Sequence, residues 1–283
     1  MKKISKAASL LLNDPVSLLK IGYAQAMRKV GHTPEAPVIK ERNGVKFEFD
    51  FDYGPQIKIM YFDAYEPLTI RAMRKFLKTG DTFIDAGANI GFISWVAAGI
   101  VGKEGQVHSF EPSSRDFDRL SKLPAQNPGH KIICHRMALG EKKEIKDMDI
   151  AKSTWVGWNT LVPTFMRKND FQETIQVQVV RLDDYIRENE KSLGRIAMIK
   201  IDTEGFEFFV LKGLQHFFEN TAIRPAILCE VTPRANGLMG IRMPELWDYL
   251  SRYGYQCYSL CNYRQKIDLA NLTEQSDVLF LAG

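Results

Sequence analysis

An acidic residue and two glycines follow a short apolar run in the first half of this 283-residue chain. Asp85 ends the run, and Gly87, Asn89 and Gly91 follow it in a turn that leads into a second apolar stretch. In a strand-to-helix turn of this kind, glycine lets the backbone approach a ligand, and the first N–H groups of the helix are free to bind it. The four residues therefore predict a small-molecule site at the carboxyl end of a buried strand.

The charge of Asp85 distinguishes between two cofactors that bind at such turns. A dinucleotide site has the pattern Gly-x-Gly-x-x-Gly, which holds a pyrophosphate over the turn. Here Asn89 stands in place of the middle glycine, and Gly91 comes one residue early. The carboxylate of Asp85 would repel a pyrophosphate, whereas it attracts the ammonium and sulfonium groups of S-adenosylmethionine. We therefore predict S-adenosylmethionine as the cofactor, with a nicotinamide-dependent oxidoreductase on the same sheet as the alternative.

A second acid, Glu111, follows the next apolar run, 20 residues after the last glycine of the turn. A carboxylate at this place accepts hydrogen bonds from the ribose hydroxyls of an adenosyl or nicotinamide cofactor. The alternative is structural, with Glu111 capping the helix that begins at Ser113. Met137 and Ala138 follow the third strand, where we expect the adenine to lie, although ordinary packing explains them equally well.

Acids also follow the fourth apolar run, at Asp202 and Glu204. Methyl transfer to a hydroxyl requires the acceptor oxygen close to the methyl carbon and benefits from a base that takes its proton, and we predict Asp202 or Glu204 as this base. In one alternative these acids bind Mg²⁺ together with Glu230. In another, Glu204 and Glu207 stabilise the start of a helix. Lys200, two residues before Asp202 and on the same strand face, then pairs with it. The predicted site includes no metal.

The segments around these candidate residues together resemble the FkbM family of methyltransferases. They are Asp85–Gly91, Phe110–Pro112, Leu182–Asp184, Lys200–Glu207 and Leu211–Gly213, with the pair Tyr65–Glu66 ahead of them. The resemblance runs from about residue 61 to residue 260. It implies the class I methyltransferase fold, S-adenosylmethionine as methyl donor and, in most members, transfer to a hydroxyl of a sugar, a glycan or a secondary metabolite.

The elements that would position these residues alternate between strand and helix, as in a Rossmann-like α/β fold. We predict a mostly parallel seven-stranded sheet with helices on both faces, because most apolar runs lack the alternation of half-exposed strands. The predicted strands are Thr82–Asp85, Gln106–Phe110, Ile132–Cys134, Ile196–Ile201 and Ala226–Glu230, with a closing antiparallel pair, Gln256–Leu260 and Asp277–Leu281. The predicted helices are Gly91–Val101, Ser113–Lys122, Phe206–Asn220 and Pro244–Tyr253.

Three regions are predicted along the chain. They are a helical leader (1–35), a hairpin and a helix packed on the core (36–80) and the methyltransferase domain (81–283), which contains an insertion (141–181). A strand pattern covers 44–60, and Gly80 is expected to end the helix that follows. The insertion contains Trp155, Trp158 and Asn159, which either shape the acceptor pocket or form a packing lid.

The composition excludes several functional classes. A net charge of +4 with interleaved acids and bases predicts no nucleic-acid partner. Four cysteines are too few for a disulfide framework in a chain of this length, which predicts reduced thiols in a cytoplasmic protein. No apolar run approaches the ~20 residues of a membrane-spanning helix. The leader either packs on the domain or touches anionic lipid through residues 1–30. We expect an enzyme with a small-molecule or glycan acceptor, with a non-catalytic binding protein as a further alternative and the oligomeric state open.

Overall fold

The structure, a computed structural model, describes residues 15–16, 19, 22–23, 36–53, 56–63, 65–152 and 157–283. Of the leader, Val16, Leu19 and Tyr23 are described, and they are helical and exposed. Most of the leader lies outside the described residues, as does Trp155, so the contact of residues 1–30 with lipid stays a prediction. None of the described helices is long and apolar enough to cross a bilayer.

The strands and helices are described in chain order. The strands are β1 Val38–Arg42, β2 Val45–Phe49, β3 Thr82–Ala86, β4 Gln106–Phe110, β5 Lys131–His135, β6 Ala138–Leu139, β7 Glu144–Ala151, β8 Phe171–Val180, β9 Ile196–Ile201, β10 Ala226–Val231, β11 Tyr255–Ser259 and β12 Ser276–Ala282. Beyond the leader, the helices are α1 Gln56–Tyr61, α2 Pro67–Phe76, α3 Phe92–Val101, α4 Ser114–Leu120, α5 Lys122–Gln126, α6 Leu182–Leu193, α7 Glu207–Lys212, α8 Gln215–Asn220, α9 Pro233–Leu238 and α10 Met243–Ser251.

The main sheet has seven strands in the order β11-β12-β10-β9-β3-β4-β5. The strands β3, β4, β5, β9 and β10 run parallel, and β12 runs antiparallel to both of its neighbours. All residues of β3 and β9 are buried, as their apolar runs without alternation predict. The predicted Rossmann-like class I fold, with its closing antiparallel pair, is confirmed.

Successive residues of the central strands enter two separate cores, one on each face of the sheet. On β3, Phe83 packs in one core with β2 and α3, whereas Ile84 packs in the other with α7, α8 and α10. Met198 and Ile199 divide between the two cores in the same way on β9. Helices therefore cover both faces of the sheet, which leaves the strand ends as the place for a ligand.

The direction in which the chain builds the sheet reverses beside β3. From β3 the chain adds β4 and β5 on one side, and it later crosses over to add β9 and β10 on the other. Open parallel sheets bind ligands at the carboxyl ends of the strands that flank such a reversal. At this edge the Asp202 N–H donates to the Ala86 carbonyl at 3.0 Å, so the loop after β9 lies against the turn after β3.

The N-terminal hairpin joins β1 to β2 through Asn43 and Gly44, which have φ values of 52° and 77°. Two residues of positive φ form the tight turn that suits the twist of an antiparallel pair. One face of β2 is buried against Trp95, whose Nε1 donates to the Val45 carbonyl at 2.8 Å. The strand pattern predicted for 44–60 is too long, because β2 has five residues and the later apolar residues lie in helical turns.

The predicted ends of two helices are also wrong. The helix expected over 113–122 ends at Leu120, and α5 begins at the second residue after it. Pro124 has no N–H to donate to the Leu120 carbonyl, so an unbroken helix would lose this hydrogen bond. Gly80 does not end α2, because Leu77 is already extended and Gly80, with a φ of 87°, belongs to the turn before β3.

The helix predicted over 206–220 is two helices, α7 and α8, with Gly213 between them. The carboxylate of Asp183, just inside α6, accepts hydrogen bonds from the N–H groups of His216 and Phe217 at 2.9 Å each. It thereby caps the first turn of α8, and its own N–H donates to the Gly213 carbonyl at 2.9 Å. A Cβ at Gly213 would lie 2.2 Å from the Gly140 carbonyl oxygen, so the break requires glycine.

Replacing Asp183 by alanine is expected to destabilise the fold by about 2–3 kcal/mol, because two partly buried N–H groups in the first turn of α8 lose their acceptor. Asp183 is 3% exposed, and its carboxylate also receives a hydrogen bond from Arg181 at 2.8 Å. The free energy of unfolding in urea measures the effect. Asp184→Ala is the matched control, since this neighbour is only partly buried and pairs with Arg187 on the helix surface. Equal losses for the two variants would contradict the capping role.

Strands β7 and β8 of the insertion form a second sheet with β6, which lies just before the insertion, in the order β6-β8-β7. Within this sheet, β8 pairs antiparallel with β7 and parallel with β6. Sequence reasoning missed β7, because charged residues alternate with few apolar ones along it. Together with Val162 and Phe206, these strands form a third, small core, and Phe206 in it follows the carboxyl end of β9.

Candidate active site

A cavity of about 570 Å³ lies at the carboxyl ends of β3, β4, β9 and β10, a size suited to a cofactor-sized ligand. Of the residues predicted for the site, seven line this cavity: Asp85, Gly87, Asn89, Glu111, Ala138, Asp202 and Glu204. Gly91 lies behind the cavity wall, at the start of α3, where a Cβ would be 2.7 Å from the side chain of Leu120. Met137 packs against the core on the α7 face of the sheet and is not part of the cavity lining.

The turn after β3 requires glycine at one position because another loop approaches it. Gly87 has a φ of 81°, and a Cβ there would lie 1.8 Å from the backbone oxygen of Asp202. Asn89 also has positive φ, at 52°, and its side-chain oxygen accepts a hydrogen bond from the next N–H at 2.6 Å. Asparagine tolerates this left-handed conformation better than most residues, which explains why it can occupy a place in the turn between two glycines.

Asp85 is fully buried and has one carboxylate oxygen without a partner. Ser94 Oγ donates to Oδ2 at 2.6 Å, whereas no described group lies within hydrogen-bonding distance of Oδ1. Burial raises the pKa of Asp85, and the nearby ammonium of Lys200 opposes that rise. A buried carboxylate oxygen in a cavity wall is costly unless a ligand satisfies it. The ammonium or sulfonium of S-adenosylmethionine fits this position.

Glu111 is both a structural acceptor and a residue of the cavity wall. Its two carboxylate oxygens accept hydrogen bonds from the N–H groups of Ser113 and Asn89, at 2.9 Å each. Burial raises the pKa of Glu111 to about 7 in spite of these hydrogen bonds. The capping interpretation is therefore part of its role, and each oxygen retains a lone pair that can accept a ribose hydroxyl.

Lys200 connects the cofactor end of the cavity with the acids after β9. Its side chain is 7% exposed, and Nζ lies 2.7 Å from Oδ2 of Asp202. Burial disfavours the charge of Lys200, but the carboxylates of Asp202, Glu66 and Asp85 outweigh it and raise the pKa of the ammonium. The ion pair anticipated in the structural alternative is thus present, and it holds Asp202 at the cavity wall.

The loop after β9 presents Glu204 to the cavity in a conformation that its neighbours enforce. Glu204 has a φ of 52°, which a residue other than glycine adopts only at a cost. The buried carboxylate of Glu207 accepts hydrogen bonds from the N–H groups of Thr203 and Gly205, at 3.0 and 2.9 Å. From the insertion, Thr160 Oγ1 donates to the Glu204 carbonyl at 2.7 Å. Glu207 therefore shapes the loop, whereas Glu204 faces the ligand site.

Three carboxylates converge at this end of the cavity. Asp202, Glu204 and Glu230 each place an oxygen within 4.8 Å of the other two. Burial and the charges of Asp202 and Glu204 raise the pKa of Glu230 to about 10, and burial and Asp202 also raise the pKa of Glu204. Such a group can share protons, or it can bind a hard cation such as Mg²⁺.

Several cavity residues were not selected from the sequence. Glu66 precedes α2 with a φ of 41°, and its carboxyl group faces Lys200, Asp202 and Asp277. Burial raises the pKa of Glu66 to about 7, with Lys200 opposing and the two aspartates adding to the rise. The only signal that could have found Glu66 is the pair Tyr65–Glu66 in the family resemblance, since no local spacing marks it.

The insertion supplies several residues to the cavity lining, and two neighbours among them have different contacts. Trp158 lines the cavity and is 46% exposed. Asn159 is buried and donates to Asp116 Oδ2 of α4 at 2.6 Å, while Arg115 donates to the carbonyl of Ala151 at 2.8 Å. The two readings of the insertion therefore apply to different side chains, with Asn159 anchoring it and Trp158 facing the ligand site.

The sequence of the chain is similar to those of known methyltransferases. A family model described as the methyltransferase FkbM domain matches residues 85–257, more than half of the chain. The hexuronic acid methyltransferase AglP of Haloferax volcanii is 24% identical over 185 residues, which cover 65% of this chain and 71% of the relative. Among solved structures, Aeropyrum pernix fibrillarin with bound S-adenosylmethionine has a TM-score of 0.41 and 11% identity, covering 88% of this chain and 84% of that one. A Thermotoga maritima O-methyltransferase dependent on S-adenosylmethionine has a TM-score of 0.40 and 11% identity, covering 77% and 66%.

Proposed function

The chain belongs to the FkbM methyltransferase family, and on this basis we propose that it methylates a hydroxyl group of a sugar, a glycan or a secondary metabolite. S-adenosylmethionine is its cofactor, and the unpartnered oxygen of Asp85 fits the positive charge of this methyl donor. A sugar acceptor is supported by the relative from Haloferax volcanii, which is a hexuronic acid methyltransferase.

The carboxylates that converge at the carboxyl ends of β9 and β10 are the observation that supports hydroxyl transfer most. A neutral alcohol is a weak nucleophile, and a carboxylate beside it could take its proton while the alcohol oxygen bonds to the methyl carbon and the bond from that carbon to the sulfonium sulfur breaks, releasing the thioether. Asp202 is held in an ion pair with Lys200 at 2.7 Å, so one of its carboxylate oxygens is already occupied. Glu204 has no ion-pair partner among the described residues, so we assign the proton acceptor to Glu204 and a positioning role to Asp202.

Binding of the cofactor favours the ionised form of this base. Burial, Asp202 and Glu207 raise the pKa of Glu204 and the ammonium of Lys200 opposes that rise, so the carboxyl group binds a proton readily while no cofactor is bound. A sulfonium in the cavity would lower that pKa by Coulombic attraction. The base would thus become ionised when the methyl donor is present.

The test combines ligand binding with methyl transfer. S-adenosylhomocysteine is expected to raise the melting temperature of the chain, and NAD is expected to leave it unchanged. With S-adenosylmethionine and a panel of sugars and amino sugars, mass spectrometry should detect a methyl ether on a hydroxyl. Methylation confined to amino groups would contradict the proposed acceptor, and stabilisation by NAD alone would contradict the cofactor.

Removal of divalent metal ions is expected to leave the methyl-transfer rate unchanged, because the proposed mechanism needs only a carboxylate base. The measurement compares the initial rate before and after dialysis against EDTA, with and without added Mg²⁺. A loss of activity that Mg²⁺ restores would favour the alternative in which Asp202, Glu204 and Glu230 bind this ion. The Glu230→Gln variant would then show a higher Mg²⁺ requirement.

A further inference from the structure

The charge of the cavity lining changes between its buried floor and its exposed mouth. The floor carries Asp85 and the ion pair of Lys200 and Asp202, whereas the mouth carries the exposed guanidinium groups of Arg167 and Arg234. We propose that Arg167 and Arg234 bind a carboxylate on the acceptor, which would make the acceptor a sugar acid or another cyclic hydroxy acid. This inference rests on the proposed function and adds a subsite to it.

Arg234 is held at the mouth by an aromatic residue of the insertion. It lies in the first turn of α9, directly after β10, and its guanidinium carbon is 5.3 Å from the ring centroid of Phe165. One nitrogen donates to the Phe165 carbonyl at 3.5 Å. A guanidinium has five N–H donors, so this contact fixes the group and leaves most of its donors for a ligand.

Arg167 approaches the same mouth from the insertion. Its carbonyl accepts hydrogen bonds from the N–H groups of Asp170 and Phe171, at 2.9 and 3.2 Å, and this turn places its Cα. In the described part of the chain, neither Arg167 nor Arg234 has a carboxylate within 4.0 Å. Two arginines at one opening, neither of them ion-paired with a carboxylate among the described residues, favour an anionic ligand group.

The remaining lining specifies how such an acceptor would enter. Asp202, Glu204 and Glu230 offer oxygens to the hydroxyl groups of an acceptor, and the negative charge that these three carboxyl groups share would repel a carboxylate. The acceptor would therefore enter with a hydroxyl first and leave its carboxylate at the arginines. Trp158 and Phe165, which also line the cavity, offer aromatic faces to the apolar side of a ring. Asp170 at the same opening favours a single negative charge over the double charge of a phosphate.

The experiment measures binding to the full chain saturated with S-adenosylhomocysteine, so it does not depend on turnover. Isothermal titration calorimetry compares methyl β-D-glucuronide with methyl β-D-glucoside, which differ only at C6, where the first has a carboxylate and the second a hydroxymethyl group. We expect the glucuronide to bind roughly 10-fold more tightly. Arg167→Gln and Arg234→Gln should each reduce this preference, and the double variant should remove it while leaving the affinity for S-adenosylhomocysteine unchanged.

Arg242→Gln is the matched control, because Arg242 is exposed ahead of α10 and pairs with Glu245 away from the cavity lining. It should leave the preference for the glucuronide intact. Equal affinities for the two glycosides, or a preference that survives in the double variant, would overturn the proposal. Tighter binding of glucose 6-phosphate than of the glucuronide would also overturn it, in favour of a phosphate.

The outcome for the arginines is distinguishable from the outcome for the proposed function. Methyl transfer to a neutral sugar without any preference for the glucuronide would leave hydroxyl methylation intact and remove the carboxylate subsite. Arginine-dependent binding of the glucuronide, without methyl transfer to any hydroxyl, would retain the subsite and contradict the reaction.

Discussion

Replacing Asp85 by asparagine is expected to weaken the binding of S-adenosylmethionine by roughly 10- to 100-fold. The substitution preserves the size of the side chain and removes a negative charge that is fully buried at the cofactor end of the cavity. The hydrogen bond from Ser94 supports one oxygen, and the other has no partner among the described residues. That second oxygen is the one we expect the ligand to use, and calorimetric titration measures its contribution.

Asp81→Asn is the control for this change. Asp81 is also a buried aspartate, but it lies just before the opposite end of β3 and pairs with Arg195 at 2.9 Å. Its replacement should leave cofactor affinity unchanged. Both S-adenosylmethionine and S-adenosylhomocysteine carry the ammonium, and only the former carries the sulfonium. In Asp85→Asn, equal losses for both would indicate the ammonium, a loss confined to the methyl donor would indicate the sulfonium, and no loss would contradict the assignment.

The parts of the fold that could be predicted are those specified by short stretches of sequence. The buried strands β3 and β9 are short apolar runs without alternation, and one strand-to-helix turn holds Gly87 and Asn89. These features are local, so they are visible before any tertiary contact is known. Parallel sheets bind ligands at the carboxyl ends of their strands, so the turn is expected to lie at the ligand site.

The parts that could not be predicted depend on contacts between distant segments. The break at Gly213 is set by the Asp183 carboxylate and the close approach of Gly140, neither of which is nearby in sequence. Glu66 and Arg234 both line the cavity although they are about 170 residues apart in the chain. The first precedes the sequence motifs of the site and the second follows them. Met137 follows the correct strand, but its side chain lies on the core side, an orientation that the sequence pattern does not specify.

Replacing Glu204 by glutamine is expected to lower kcat by roughly 10²- to 10⁴-fold with little change in cofactor affinity, because the acceptor hydroxyl loses its base. The residue's size and its backbone contact with Thr160 are preserved. Initial rates at saturating S-adenosylmethionine give kcat, and titration with S-adenosylhomocysteine gives the affinity. A variant that retains full kcat would exclude Glu204 as the base.

The dependence of kcat on pH distinguishes Glu204 from Asp202. A base acts only when unprotonated, so kcat should rise with pH as Glu204 loses its proton, and Glu204→Gln should lose this rise. The charged groups that face Glu204 are Asp202, Glu207, Lys200 and Asp277, with Glu230 beside them. The negative charge of Asp202 raises the pKa of Glu204, so Asp202→Asn should shift the rise of kcat to lower pH without removing it. If Asp202 is the base instead, the acceptor proton passes to Asp202. The rise of kcat with pH should then disappear in Asp202→Asn and persist in Glu204→Gln.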